Sequence, residues 1–150
     1  MDPTAPSAEV SNIQLTEFIY NPEYDFANME EVELKITVLH RAPLQNEQFD
    51  VLVKIVYQDK KTSESVLSTS CVTSYTLKGM KKGTDSESST NTIDIPGVID
   101  SLMKIEAVAH ARALVAVQAA STPFGKTYVS LGTRVMTQLI QEEIKVLATK

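Results

Sequence analysis

Residues 105–120, IEAVAHARALVAVQAA, decide how this chain folds. Only Glu106, His110, Arg112 and Gln118 are polar in that stretch. Ile99, Leu102, Met103, Glu106, His110, Ala113, Leu114 and Val117 recur at helical spacing, Pro96 suits a first helical turn, and Pro123 with Gly125 closes the segment. The spacing predicts a helix over residues 99–121, about 34 Å long. A helix that is apolar on nearly every side must be covered on nearly every side. One sheet covers one face. The other, rich in Ala109, Ala113, Ala116 and Ala120, would leave a larger apolar patch than a monomer usually shows. The expectation is self-association, with helices of neighbouring subunits packed through these alanines. The alternative is cover by the chain that follows.

Upstream of the helix the period is 2. Residues 1–11, MDPTAPSAEVS, read as a mobile tail. Ile13, Leu15, Phe18 and Tyr20 alternate imperfectly before the Asn21-Pro22 turn, whereas Val32, Leu34, Ile36 and Val38 alternate cleanly. Phe49, Val51, Val53, Ile55 and Tyr57 make a third strand, and residues 66–77 a fourth by β-propensity. Short polar loops between strands predict an antiparallel meander. Residues 81–92, KKGTDSESSTNT, hold no apolar side chain and read as an exposed loop. Downstream, FGKTYVSLG connects to a second amphipathic helix capped by Thr133, with Met136, Leu139, Ile140, Ile144 and Leu147 inward. The expected fold is a single α+β domain over residues 1–150: a four-stranded antiparallel sheet packed on a long helix, then the second helix.

Composition narrows the function. The 14 basic and 19 acidic residues give a net charge of −5, which disfavours nucleic acid as a partner. Lys78, Lys81 and Lys82 sit beside Asp85 and Glu87 and read as a solvated turn. Cys71, the single cysteine, excludes an internal disulfide and fits the reducing cytoplasm. The N-terminus lacks the pattern of a signal peptide, and residues 105–120 are too short and too charged for a membrane span. No catalytic set stands out. Cys71 falls within a strand and reads as a structural thiol. Glu106 and His110 are spaced for a helical pair, and His40 completes no metal-ligand spacing. The reading is of a protein that is not an enzyme, has no cofactor or metal, and works through surface shape and apolarity.

The order of elements resembles the SecB family of bacterial chaperones. The resemblance runs from Ile13 to Leu147 and is carried by IQLTEFIYNPEYDF, ELKITVLHRAPLQNEQFDVLVKIVYQDKK, SCVTSYTLKGM and AVAHARALVAVQAASTPFGKTYVSLGTRVMTQLIQEEI. It implies a homotetramer built as a dimer of dimers, and an ATP-independent holdase for unfolded client polypeptides, in protein export or for one client such as an antitoxin. By position it places Phe124, Tyr128, Val129 and Leu131 in one wall of the client groove, with Tyr57, Tyr75, Leu44 and Met80 as further lining. The chain departs from the secretion-type members. Residues 27–31 make a short crossover, tryptophan is absent, and MKIEAVAHA stands where those members carry a Pro-aromatic pair. Of the acidic positions that meet the motor ATPase SecA, Glu23 falls near one and Ser68 occupies another, which argues against SecA docking. Two other readings compete: an adaptor subunit with one fixed partner, and a hotdog-type thioesterase. In the latter the long helix precedes most strands, and Asp100 is the only nearby acid.

Overall fold

Side chains along a strand point alternately to its two faces, and residues 49–57 show what each face meets. Phe49, Val51, Val53, Ile55 and Tyr57 are buried, while Lys54 between them is exposed. In this computed structural model, which describes residues 5–24, 32–41, 47–84 and 91–122, the buried set lies beneath a long helix. The elements are β1 (Ser7–Tyr20), β2 (Val32–Arg41), β3 (Gln48–Asp59), β4 (Ser65–Lys78), β5 (Lys81–Thr84), β6 (Asn91–Asp94) and α1 (Gly97–Ala119).

The main sheet has four antiparallel strands in the order β1-β4-β3-β2. The expected meander holds for β2, β3 and β4, but β1 pairs with β4 instead of β2. β1 and β4 each run 14 residues, so β1 finds a longer ladder there than on the 10-residue β2. Tyr20 and Val32 therefore lie on opposite edge strands of the sheet, about 14 Å apart at strand spacing.

β1 corrects a second expectation. Ser7 to Ser11, read above as part of a mobile tail, begin the strand, with Ser7 opposite Lys78 and Val10 opposite Tyr75. Its imperfect alternation is the mark of two bulges. The register slips between Val10 and Asn12 and again between Leu15 and Glu17, so Ser11 and Thr16 are the extra residues. Both carry hydroxyls that donate to β4 carbonyls: Ser11 Oγ to Ser74 O and Thr16 Oγ1 to Ser70 O, each at 3.1 Å. Each bulge returns the following apolar residue to the helix side, where Ile13 lies opposite Thr73 and Phe18 opposite Thr69.

The polar stretch after β4 is also more ordered than its composition suggests. Gly79 turns the chain with a φ of 67°, and β5 and β6 then form a hairpin of their own. Met80, Ile93 and Ile95 anchor that hairpin against the core. At the opposite end of the sheet, the Asp59 carboxylate organises the β3–β4 turn. It accepts the Lys61 amide at 2.7 Å, the Thr62 amide at 3.2 Å and the Tyr24 hydroxyl. These donors hold Asp59 below the usual carboxylate range, the Tyr24 hydroxyl most of all. Asn21 ties β1's end to the same turn through Glu64, at 2.9 Å.

Candidate polypeptide-binding surfaces

α1 lies on the sheet through Met103, Lys104, Ala107, Val108, Ala111, Val115 and Ala119. This is not the stripe marked by the larger residues of the sequence. The helix is turned by roughly a third of a revolution from it, leaving Leu102 59% and Val117 71% exposed. Three of the seven buried positions are alanines, which let the helix axis approach the closely packed strands. Tyr75 crosses this layer and donates its hydroxyl to the Met103 carbonyl at 2.9 Å. Burial first, and Glu106 second, push the Tyr75 hydroxyl far above its ordinary range, so it remains a donor. Thr73 Oγ1 meets His110 Nδ1 at 3.1 Å, and His110 Nε2 lies 4.0 Å from Glu106.

Away from the sheet, α1 carries an apolar stripe: Val98, Leu102, Ala109, Ala113, Ala116 and Ala120, flanked by Ile105, which also packs against the core. Within the described residues all are exposed except Ile105, which is half-buried. Beside the helix, Val10 and Ile13 on the edge strand β1 are also exposed, at 41% and 42%.

The reverse face of the sheet carries a second apolar feature. Leu39, Leu52 and Val72 stand in register across β2, β3 and β4. With His40 and Asp50 they line a cavity of about 350 Å³. The sequence signal was present in the unbroken runs Val38-Leu39 and Val51-Leu52-Val53, which make these strands apolar on both faces. His40 stacks on Phe49, with ring centroids 5.4 Å apart and an interplanar angle of 18°. Desolvation first, then the Lys104 charge, push the His40 imidazole below its ordinary range, against a weaker upward pull from Asp100. Lys104 is itself buried and holds Asp100 at 2.8 Å.

Of the residues expected to line a client groove, Tyr57, Tyr75 and Met80 are described. Tyr57 and Tyr75 are core residues, each 1% exposed between sheet and helix, and so do not line an open groove here. An aromatic at an inward strand position packs under the helix. Met80 is half-buried against the same core. Leu44, Phe124, Tyr128, Val129, Leu131 and the second amphipathic segment lie outside the described residues. Glu23 is exposed in the turn after β1, where its amide donates to Asn21 Oδ1 at 3.1 Å. Ser68 lies between Ile19 and Val56 on the reverse face of the sheet. Cys71 is buried and burial raises its thiol, as suits a structural cysteine. Among the described residues no cluster could hold a metal ion, and no helix is long and apolar enough to cross a membrane.

No family model matches the sequence, and no curated protein matches it. Among solved structures the chain is similar to the SecB-like chaperone Rv1957 of Mycobacterium tuberculosis, in complex with a ChAD peptide from the HigA1 antitoxin. The TM-score is 0.54 at 9% identity, over 76% of this chain and 79% of that one. The α+β arrangement of a four-stranded antiparallel sheet beneath a long helix is therefore the SecB-like fold.

Proposed function

We propose that this protein is an ATP-independent holdase that binds non-native polypeptides in the cytoplasm. A single dedicated client, such as an antitoxin, is the preferred case. The observation that carries the reading is the SecB-like fold joined to exposed apolar side chains on the helix and the sheet edges. Val98, Leu102 and Val117 on α1, Val10 and Ile13 on β1, and Leu39 on β2 are all exposed. An unfolded client offers apolar side chains and unpaired backbone groups. Apolar grooves accept the first, and a sheet edge accepts the second. The solved neighbour holds a peptide from an antitoxin, which supports a polypeptide client here.

The client groove is assigned to Phe124, Tyr128, Val129 and Leu131, with Leu44 and Met80 beside it. Tyr57 and Tyr75 are left out because both are buried. The working form is assigned to an oligomer, a dimer of dimers in the fullest case, held through the outer face of α1. Glu23 alone makes a weak acidic docking surface, so SecA is not among the proposed partners.

The test is aggregation of a chemically unfolded, unrelated protein on dilution, with and without this protein at equal subunit concentration and without ATP. Suppression supports the holdase. Failure against several unrelated proteins, with tight capture of one native partner, would replace it with the adaptor reading.

A further inference from the structure

The sheet face that points away from α1 holds an apolar depression with charge on both of its sides. Leu39, Leu52 and Val72 follow one another in register across β2, β3 and β4. At strand spacing they form a row with steps of about 4.8 Å, running across the strands. Leu39 is 44% exposed at the sheet edge, and Leu52 and Val72 are half-buried. The cavity of about 350 Å³ lies along this row. On β4 the outward positions either side of Val72 are Ser70 and Ser74, whose small side chains leave the row accessible.

Asp50 and Lys54 stand two residues before and two after Leu52 on β3, and so on the same face. Four residues of strand set them about 13 Å apart. Lys54 is exposed, and Asp50 is half-buried in the cavity wall. The row is thus an apolar lane with an acid on one bank and a base on the other.

We propose that this lane docks an amphipathic α-helix of a partner protein, lying across the strands with its apolar stripe on Leu39, Leu52 and Val72. Width and spacing both fit. A helix is about 10–12 Å across with its side chains, which fills the gap between Asp50 and Lys54. Its residues i and i+7 are about 10.5 Å apart along the axis, close to two strand spacings of about 9.6 Å, with i+4 between them. The charges define the partner further. One flank of its helix carries Lys or Arg toward Asp50, and the other Asp or Glu toward Lys54. Both pairs then stay at a wet rim. A second copy of this sheet laid face to face would instead take both charges out of water, where the desolvation penalty can exceed what pairing returns. The mixed charge also separates this site from an all-acidic docking surface. It does not depend on the holdase reading.

The probe is a dye-labelled synthetic helix with leucines at i, i+4 and i+7, lysines along one flank and glutamates along the other. Fluorescence anisotropy should show saturable binding with a Kd of about 1–100 μM, and the methyl signals of Leu39, Leu52 and Val72 should shift in NMR spectra. Leu39→Ser, at an exposed edge position, should raise that Kd about tenfold. Lys54→Glu should reverse the charge preference. Wild type binds the mixed-charge helix ahead of one with lysines on both flanks, and the variant prefers the all-lysine helix about threefold. A peptide of the same composition with a central proline should bind about tenfold more weakly, since it cannot lie as one helix. Leu39→Ser should leave suppression of aggregation unchanged.

No binding at about 1 mM peptide would overturn the proposal, and so would an unaltered charge preference in Lys54→Glu. Equal binding of the proline peptide would replace the helix by an extended segment. Binding lost with Phe124→Ala but kept with Leu39→Ser would place the probe in the client groove instead. A fall in mass with Leu39→Ser before peptide is added would make the face a contact between copies. Loss of peptide binding and of aggregation suppression together would make it part of the client surface. Each of these results refutes a separate helix-docking site.

Discussion

Lys104 offers a sharp test of how the helix–sheet layer is held. Its side chain is 3% exposed, and its amine meets the Asp100 carboxylate at 2.8 Å, with Asp100 23% exposed. At an effective dielectric near 20 that contact is worth about 6 kcal/mol of attraction. Removing two ions from water costs several kcal/mol each after relaxation, so the pair comes out near zero. Methionine has a similar unbranched shape and needs no counter-charge. Lys104→Met should therefore leave stability unchanged or raise it by up to about 2 kcal/mol. Asp100→Asn acts the other way, because it leaves a buried ammonium without its partner and removes an acid from the first turn of α1. A cost of about 3 kcal/mol is expected, the lower end for a broken buried pair, since Asp100 keeps some contact with water. Urea unfolding at one fixed protein concentration measures both. With a slope of about 2 kcal/mol per molar, Asp100→Asn should lower the midpoint by about 1.5 M. A Lys104→Met variant that lost more than Asp100→Asn would refute the reasoning and mark the Lys104 amine as a net source of stability.

Other expectations follow from the same geometry. His40 has a folded pKa below its ordinary value of 6.5, so the unfolded chain binds more protons between the two values. Its contribution is thus complete above about pH 6.5 and lost as pH falls through the folded pKa. Lys104→Met should move the His40 titration upward, which imidazole proton shifts followed by NMR would detect; an unmoved titration would remove Lys104 as a cause. Ser11→Ala and Thr16→Val each delete a hydroxyl bond to β4 and should cost about 1 kcal/mol, with faster amide exchange confined to β1. Exchange quickened equally across the sheet would deny the bulges a local role. Phe124→Ala or Tyr128→Ala should weaken client binding without changing the mass of the oligomer, and equal loss of both would make these residues structural.

Much of the fold was legible because its strongest signals are periodic. β2 and β3 read directly from alternating Val, Leu and Ile, and α1 from a stretch too apolar for a surface helix. What sequence reasoning missed depends on pairing between distant segments. Nothing local in Ser7 to Ser11 reports that β4 has room for five more residues, so that stretch read as a tail. Ser11 and Thr16 look like breaks in alternation until β4's carbonyls are placed beside them. The inward face of α1 was obscured for a different reason. Leu102 and Val117 are larger than Ala107 and Ala111, yet the sheet takes the alanines, because close approach to a full layer of Val, Ile and Tyr favours small side chains. Burial of Tyr57 and Tyr75 follows from the same inward alternation that marks Val53 and Ile55 as core.

The two kinds of apolar residue proposed for binding suit different partners. Capture of many unfolded sequences favours long, adaptable side chains that can repack around each client. The C-terminal half of α1's outer stripe is the opposite: Ala109, Ala113, Ala116 and Ala120 have no rotamers to adjust. Alanines gain contact only when another backbone comes close along a fixed line, which requires a partner of matching shape. That suits the self-association proposed above, in which the stripe meets another subunit. The proposed client groove falls instead to aromatic and branched residues, Phe124, Tyr128 and Leu131. The division has an observable consequence: substitutions along the stripe should change the mass of the assembly before they change which unfolded proteins it holds. If Ala113→Arg, at the middle of the stripe, instead altered client range at unchanged mass, the alanine face would itself be the client surface.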